Sequence, residues 1–201
     1  MQTTTPITKP FFSAKFIARA GLLAGIAVIL GFIPGIPLPF IPPFLTIDFS
    51  NIPILIGSFA FGPITGICIA LVKSLVHLLN THTGGVGELA DFLTAVALVL
   101  PSAILYAHKK TRKNALIGMI IGAVLMAIVG GLANKYLLIP FYAKVMPMEQ
   151  IFAACAKVNG FITDIDTYVL YGAVPFNFIK AAVICIPTFI LYKHISKILR
   201  K

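Results

Sequence analysis

The sequence predicts an all-α integral membrane protein with six transmembrane helices and both termini in the cytoplasm. Three observations support that fold class. Of 201 residues, 59% are hydrophobic and only 11% charged, too little polar surface for a soluble domain of this length. The apolar residues fall in runs separated by Pro/Gly clusters and charged stretches. The net charge of +10 would suggest nucleic acid in a soluble protein, but here the basic residues sit at the ends of the apolar runs, where they set topology.

The opening MQTTTPITKPFF is polar and lacks a small-residue cleavage site, so no removable signal peptide is expected and the first helix, about 16–33, is retained. A proline-rich apolar stretch, GIPLPFIPPFLTIDF, follows. Ser50 or Asn51 is placed to cap the next helix, with Pro53 tolerated in its first turn. That helix meets Gly62-Pro63 after about a dozen residues, short of the roughly 20 a crossing needs, so it is either tilted or shielded by protein. The third helix runs to about 80, the fourth covers about 87–107 and the fifth about 115–138. A polar stretch over 142–166 precedes the last helix, about 167–194. The chain therefore reads as one six-helix membrane domain over 1–201, with an outer lid loop at about 34–50 and an outer loop at about 142–166.

Six crossings put Lys9, Lys15, Arg19, the KKTRK run over 109–113, Lys193, Lys197, Arg200 and Lys201 on one side, which is then the cytoplasm. All six acidic residues (Asp48, Glu88, Asp91, Glu149, Asp164 and Asp166) fall on or near the outer side. Five or seven helices would place the basic tail outside. Cys68, Cys155 and Cys185 lack metal-ligand spacing and read as small apolar residues.

Ionisable groups within a span are costly and face the protein interior or a cavity. Lys180 lies near mid-membrane in the last helix, too deep to reach either surface easily. Lys73 sits two turns below the outer end of the third helix, from which it either snorkels outward or joins a site. Asn177 precedes Lys180 by three residues and shares its helix face. Pro175 frees a backbone carbonyl near Tyr171. Asn134, after Gly130-Gly131, is a second buried amide. Asn offers donor and acceptor together and Lys offers donors, a set that suits a planar heterocycle edge with two carbonyls flanking an N–H. The competing reading is a helix-to-helix hydrogen-bond network without ligand. The apolar outer loop either covers an outward-facing pocket or packs into headgroups. THTGGVGELADF has glycines that let backbone amides approach a ligand at a helix start, or forms only a turn.

No GxxxxGK[ST] occurs, so the chain has no cradle for ATP phosphates, and HExxH, GxSxG and Cys-x-x-Cys are also absent. Asp164 and Asp166 read as solvated loop charges. A membrane enzyme using His77, Lys73 and the outer acids lacks a catalytic constellation. A pore would need a polar stripe along several helices, whereas these are polar only toward the outer half. Capture without chemistry is the favoured reading.

The run LTIDFSNIP, then FGPITG, LVKSLVHLL, GGVGELADFL, LANKYLLIPFYA and VPFNFIKAAV, resembles the substrate-binding (S) components of bacterial energy-coupling factor (ECF) transporters, and most closely the riboflavin-specific members. The resemblance covers essentially the whole chain. It implies the S-component fold in the cell membrane and high-affinity capture of riboflavin from outside. Release inside would be driven by a transmembrane coupling protein and two ATPase subunits, with riboflavin as bound substrate, no catalytic cofactor and no nucleic-acid partner. It implies that the flavin edge meets Asn134, Asn177 and Lys180, with the start of the fourth helix around Glu88, Leu89 and Asp91 near the ligand, partly through backbone atoms. Lys73 is a further candidate from its position in the third helix. Asp91 stands where relatives are expected to carry Asn. Ala20 and Ala24 resemble the surface offered to the membrane partner, since small residues four apart allow close helix contact. The alternative within transport is an S component for another vitamin or for flavin mononucleotide.

Overall fold

The structure, a computed structural model, describes residues 13–42 and 44–200, with side chains to 195. The opening segment, including Lys9, and the terminal Lys201 lie outside the described residues, as do the side chains of Lys197 and Arg200.

Helix α1 (Ala14–Phe32) starts where the Ser13 hydroxyl accepts the Phe16 amide at 3.2 Å. A short antiparallel hairpin follows, β1 (Ile36–Pro37) with β2 (Thr46–Ile47), pairing Ile36 with Ile47. The helices α2 (Asn51–Phe61), α3 (Pro63–His77), α4 (Val86–His108) and α5 (Arg112–Ala133) come next. A π turn over Asn134–Leu138 leads into α6 (Ile139–Val145). Then come α7 (Met148–Ala156) and α8 (Ile165–Tyr168), and a second π turn, Val169–Ala173, opens into α9 (Val174–Arg200).

Five of the described helical stretches are long and apolar enough to cross a membrane: Ala14–Phe32, Pro63–Asn80, Val86–His108, Arg112–Val145 and Ile165–Ile195. The short α2 is shielded by protein, because nine of its 11 residues are buried, among them Ile54 and Leu55. Its partners are α1, α3, α4 and α9. Helices α4 and α5 approach closely at Gly118 and Gly122. A Cβ on Gly118 would sit 2.8 Å from Ser102 Cα, so only glycine permits this spacing.

A second core cluster lies at the other end of the bundle and contains Ile41, Leu45, Ile47, Ile139, Ile151, Ile162 and Tyr168. The apolar side chains of the proline-rich loop thus bury mainly against protein, although Phe40 stays exposed. Residues 142–166, read as a polar outer loop, carry α7, which contributes Ile151 and Cys155 to this cluster. The aqueous-looking sequence hides one apolar helix face.

Candidate functional site

Both π turns end two residues before a proline, Pro140 and Pro175. Proline cannot donate to the carbonyl four residues back, and its ring crowds that carbonyl, so the turn before it widens. Accordingly the Ile139 amide reaches back to the Asn134 carbonyl and the Val174 amide to the Val169 carbonyl, five residues each. The carbonyl that the sequence leaves orphaned near Tyr171 is accommodated by this widening.

The turns present two amides to one cavity. Asn134, buried, donates through Nδ2 to the Gly130 carbonyl at 2.8 Å and accepts from the Tyr168 hydroxyl at 2.6 Å. Asn177 donates to the Ala173 carbonyl at 2.8 Å. Each amide nitrogen has one further N–H, and each amide oxygen a further lone pair, open for other partners. Gly130 makes the approach possible: a Cβ there would run into the whole Asn177 amide, at 2.7 Å from its oxygen.

Lys180 is one turn further along α9. Nothing local in the sequence supplies it with a partner; the structure supplies two. Its Nζ lies 2.8 Å from Asp48 Oδ2 and 2.9 Å from Asp91 Oδ1. Asp91 also pairs with Lys73, which is buried and does not snorkel. Two lysines and two aspartates thus form a charge-neutral quartet, as burial of ionised groups requires. Asp48 sits just after β2 and also accepts the Ser50 amide at 2.9 Å and the Ser50 hydroxyl, so Ser50 braces this carboxylate and does not cap α2. Burial alone would raise the Asp48 carboxyl. The Lys180 ammonium, then that of Lys73, with hydrogen bonds from Lys180 and Ser50, outweigh burial and hold it well below the usual carboxylate range.

Lys180, Asp48, Asp91 and the two amides line a cavity of about 240 Å³ whose other walls include Phe44, Leu138, Tyr142 and Phe176. Asn134, Asn177, Lys180 and Asp91 all reach it. A second cavity of about 180 Å³ adjoins it, sharing Thr46, Asp48, Gly87 and Asp91. Lys73, Ser74, His77 and Glu88 line the second cavity. The buried Ser74 hydroxyl has no partner there, whereas Glu88 is held by Thr81 and Thr83 at 2.8 and 3.0 Å.

Leu89 is not brought to either cavity. Its side chain is exposed and its amide donates to the Gly85 carbonyl at 3.0 Å, within the helix. Ala24 packs into the core and Ala20 is half-buried, both along a groove between α1 and α3. Asp48 and Tyr168 contribute to the site without being marked by a motif in the sequence. Asp48 gives a signal, as the only charge in the apolar loop, but nothing local reveals its distant lysine.

A family model for the substrate-specific component of ECF transporters matches residues 15–192. Among similar proteins is the riboflavin transporter RibU of Staphylococcus aureus (strain TCH60), 34% identical over 187 residues and covering 93% of both chains. The riboflavin transporter FmnP of Bacillus subtilis (strain 168) is 27% identical over 86% of this chain and 87% of its own. A solved structure of the S component of a bacterial ECF transporter superposes with a TM-score of 0.72 at 33% identity, covering 93% of this chain and 98% of that one. With these relatives and its apolar helices the protein is a multi-pass membrane protein, and the chain belongs to the family of ECF transporter substrate-specific components.

Proposed function

We propose that this chain is the riboflavin-binding subunit of an ECF uptake transporter, capturing the vitamin outside the cell and releasing it inside. The observation that supports this reading best is the meeting of Asn134, Asn177 and Lys180 on one wall of a cavity that Phe44, Tyr142 and Phe176 also line. A flavin ring presents two carbonyls flanking an N–H at one edge. The carbonyls take N–H groups from the amides and from Lys180, whose third ammonium proton remains after two carboxylates are served. The ring N–H takes an amide oxygen. The aromatic walls suit a flat ring. The polyhydroxylated tail extends past Thr46 and Asp91 into the adjoining polar cavity, where the Ser74 hydroxyl lacks a partner. Glu88, Asp91 and Lys73 belong to this tail-side wall.

Six membrane helices, the five long ones and the buried α2, put both termini in the cytoplasm and the cavities toward the outer face. ATP hydrolysis resides in two partner ATPases, coupled through a transmembrane protein that docks on the α1 face around Ala20 and Ala24.

The first test is the visible spectrum of the purified chain, followed by titration of stripped protein with riboflavin, read by the ligand's own fluorescence because the chain contains no Trp. Saturable quenching with a flavin spectrum supports the reading. An intact, colourless protein that ignores riboflavin overturns the substrate and leaves the family.

A further inference from the structure

We infer that a groove between α5 and α9 is a binding site for an anionic phospholipid of the inner leaflet. The groove encloses about 410 Å³ and all of its lining is apolar, with Ala123, Ala181 and Ala182 along it and Phe178 and Phe189 among its other residues. It is separate from the polar cavities and from the α1–α3 groove assigned above to the membrane partner. Along α9 the lining runs from Phe178 to Ile190, roughly 18 Å at 1.5 Å per residue. That is close to one leaflet's share of a hydrocarbon core about 30 Å thick, so a single extended acyl chain fits its length.

The end of the groove selects the headgroup. Lys113 precedes the lining residue Leu116 by three positions on α5, and Lys193 follows Ile190 by three on α9. Three-residue spacing keeps each lysine on the groove face, one turn beyond its last apolar residue. Both are exposed, and neither forms an ion pair among the described residues. Two lysines in register with the groove face at the end of an apolar slot complement a phosphate joined to an acyl chain. On the orientation proposed above they lie at the cytoplasmic surface, where anionic lipids attract juxtamembrane basic residues. A docking protein would have to supply carboxylates at the same depth.

The test is native mass spectrometry of the full chain in mild detergent with equal amounts of phosphatidylglycerol and phosphatidylcholine of identical acyl chains. We expect selective retention of phosphatidylglycerol and a loss of about 30-fold in Lys113→Gln/Lys193→Gln. Ala182→Phe fills the slot from its exposed side and should abolish retention of both lipids, with riboflavin quenching reporting that each variant is folded. Equal retention of the two lipids, or full selectivity in the double lysine variant, overturns the inference. So does a lipid-free dimer that Ala182→Phe dissociates, since the occupant is then a second copy of the chain.

Discussion

Lys180 Nζ lies 2.8 Å from Asp48 Oδ2, so the last helix is tied directly to the exit of the outer hairpin. The same ammonium reaches Asp91 on α4 at 2.9 Å. One side chain therefore joins three elements that enclose the cavity and keeps one ammonium proton, the donor proposed above for the flavin. This dual role complicates the obvious mutation. Lys180→Met leaves two carboxylates sharing Lys73, and removal of one member of a buried ion-pair network costs about 3–5 kcal/mol. Lys180→Met combined with Asp48→Asn restores neutrality. The single variant should lose thermal stability and riboflavin affinity together. The double variant should regain stability while affinity stays roughly 10- to 100-fold low. Thermal unfolding and fluorescence titration separate the two, and wild-type affinity in the double variant would remove Lys180 from the ligand site.

Gly130→Ala places a methyl group against the Asn177 amide. Overpacking of this kind costs about 1–3 kcal/mol, and it should displace Asn177 from the cavity. Affinity is expected to fall by about tenfold or more, with a smaller drop in melting temperature. Unchanged affinity would mean that the Asn177 amide is not a contact.

Tyr168→Phe deletes the hydroxyl that donates to Asn134 Oδ1 at 2.6 Å. A buried hydrogen bond of this type contributes about 1 kcal/mol. The expected loss in affinity is about fivefold, smaller than for Asn134→Leu, which removes the contact itself. Equal losses in the two variants would show that Asn134 contributes nothing to binding without the Tyr168 hydroxyl, since Tyr168 is fully buried and does not line the cavity.

Asp48 has a carboxyl pKa below its unfolded value of 3.8. Its contribution is therefore complete above about 3.8 and lost only as pH falls toward the depressed folded value. The stability difference between wild type and Asp48→Asn should stay flat from about pH 8 to 5. A difference that collapses near pH 6 would show that Asp48 is not held by its lysines.

Ala20→Trp enlarges the α1 face where the membrane partner is proposed to dock. Riboflavin binding by the isolated chain should be unchanged, while uptake by cells containing the energising subunits should fall several-fold. Normal uptake would take Ala20 out of that interface.

The sequence by itself determined the membrane helices, because an apolar run of about 20 residues leaves the backbone no partner except its own helix. It also determined Asn134, Asn177 and Lys180 as the polar residues worth following, since such groups inside a span demand a reason. Pro175 marked where the last helix loosens, whereas the widened turns themselves, and the matching one before Pro140, became visible only in the structure. Leu89 lies in a matching motif, and only the structure shows that its side chain is exposed, which leaves its backbone as the part that could meet a ligand. The pairing of Lys180 with Asp48, the support of Asn134 by Tyr168 and the orphan hydroxyl of Ser74 were decided by tertiary structure alone. Each joins, or leaves open, groups far apart in the chain, and no local periodicity records which helix faces meet. The same holds for 142–166, where a polar composition conceals the one face of α7 that packs Ile151 and Cys155 into the outer core. Burial there depends on what lies opposite, which a single segment does not encode.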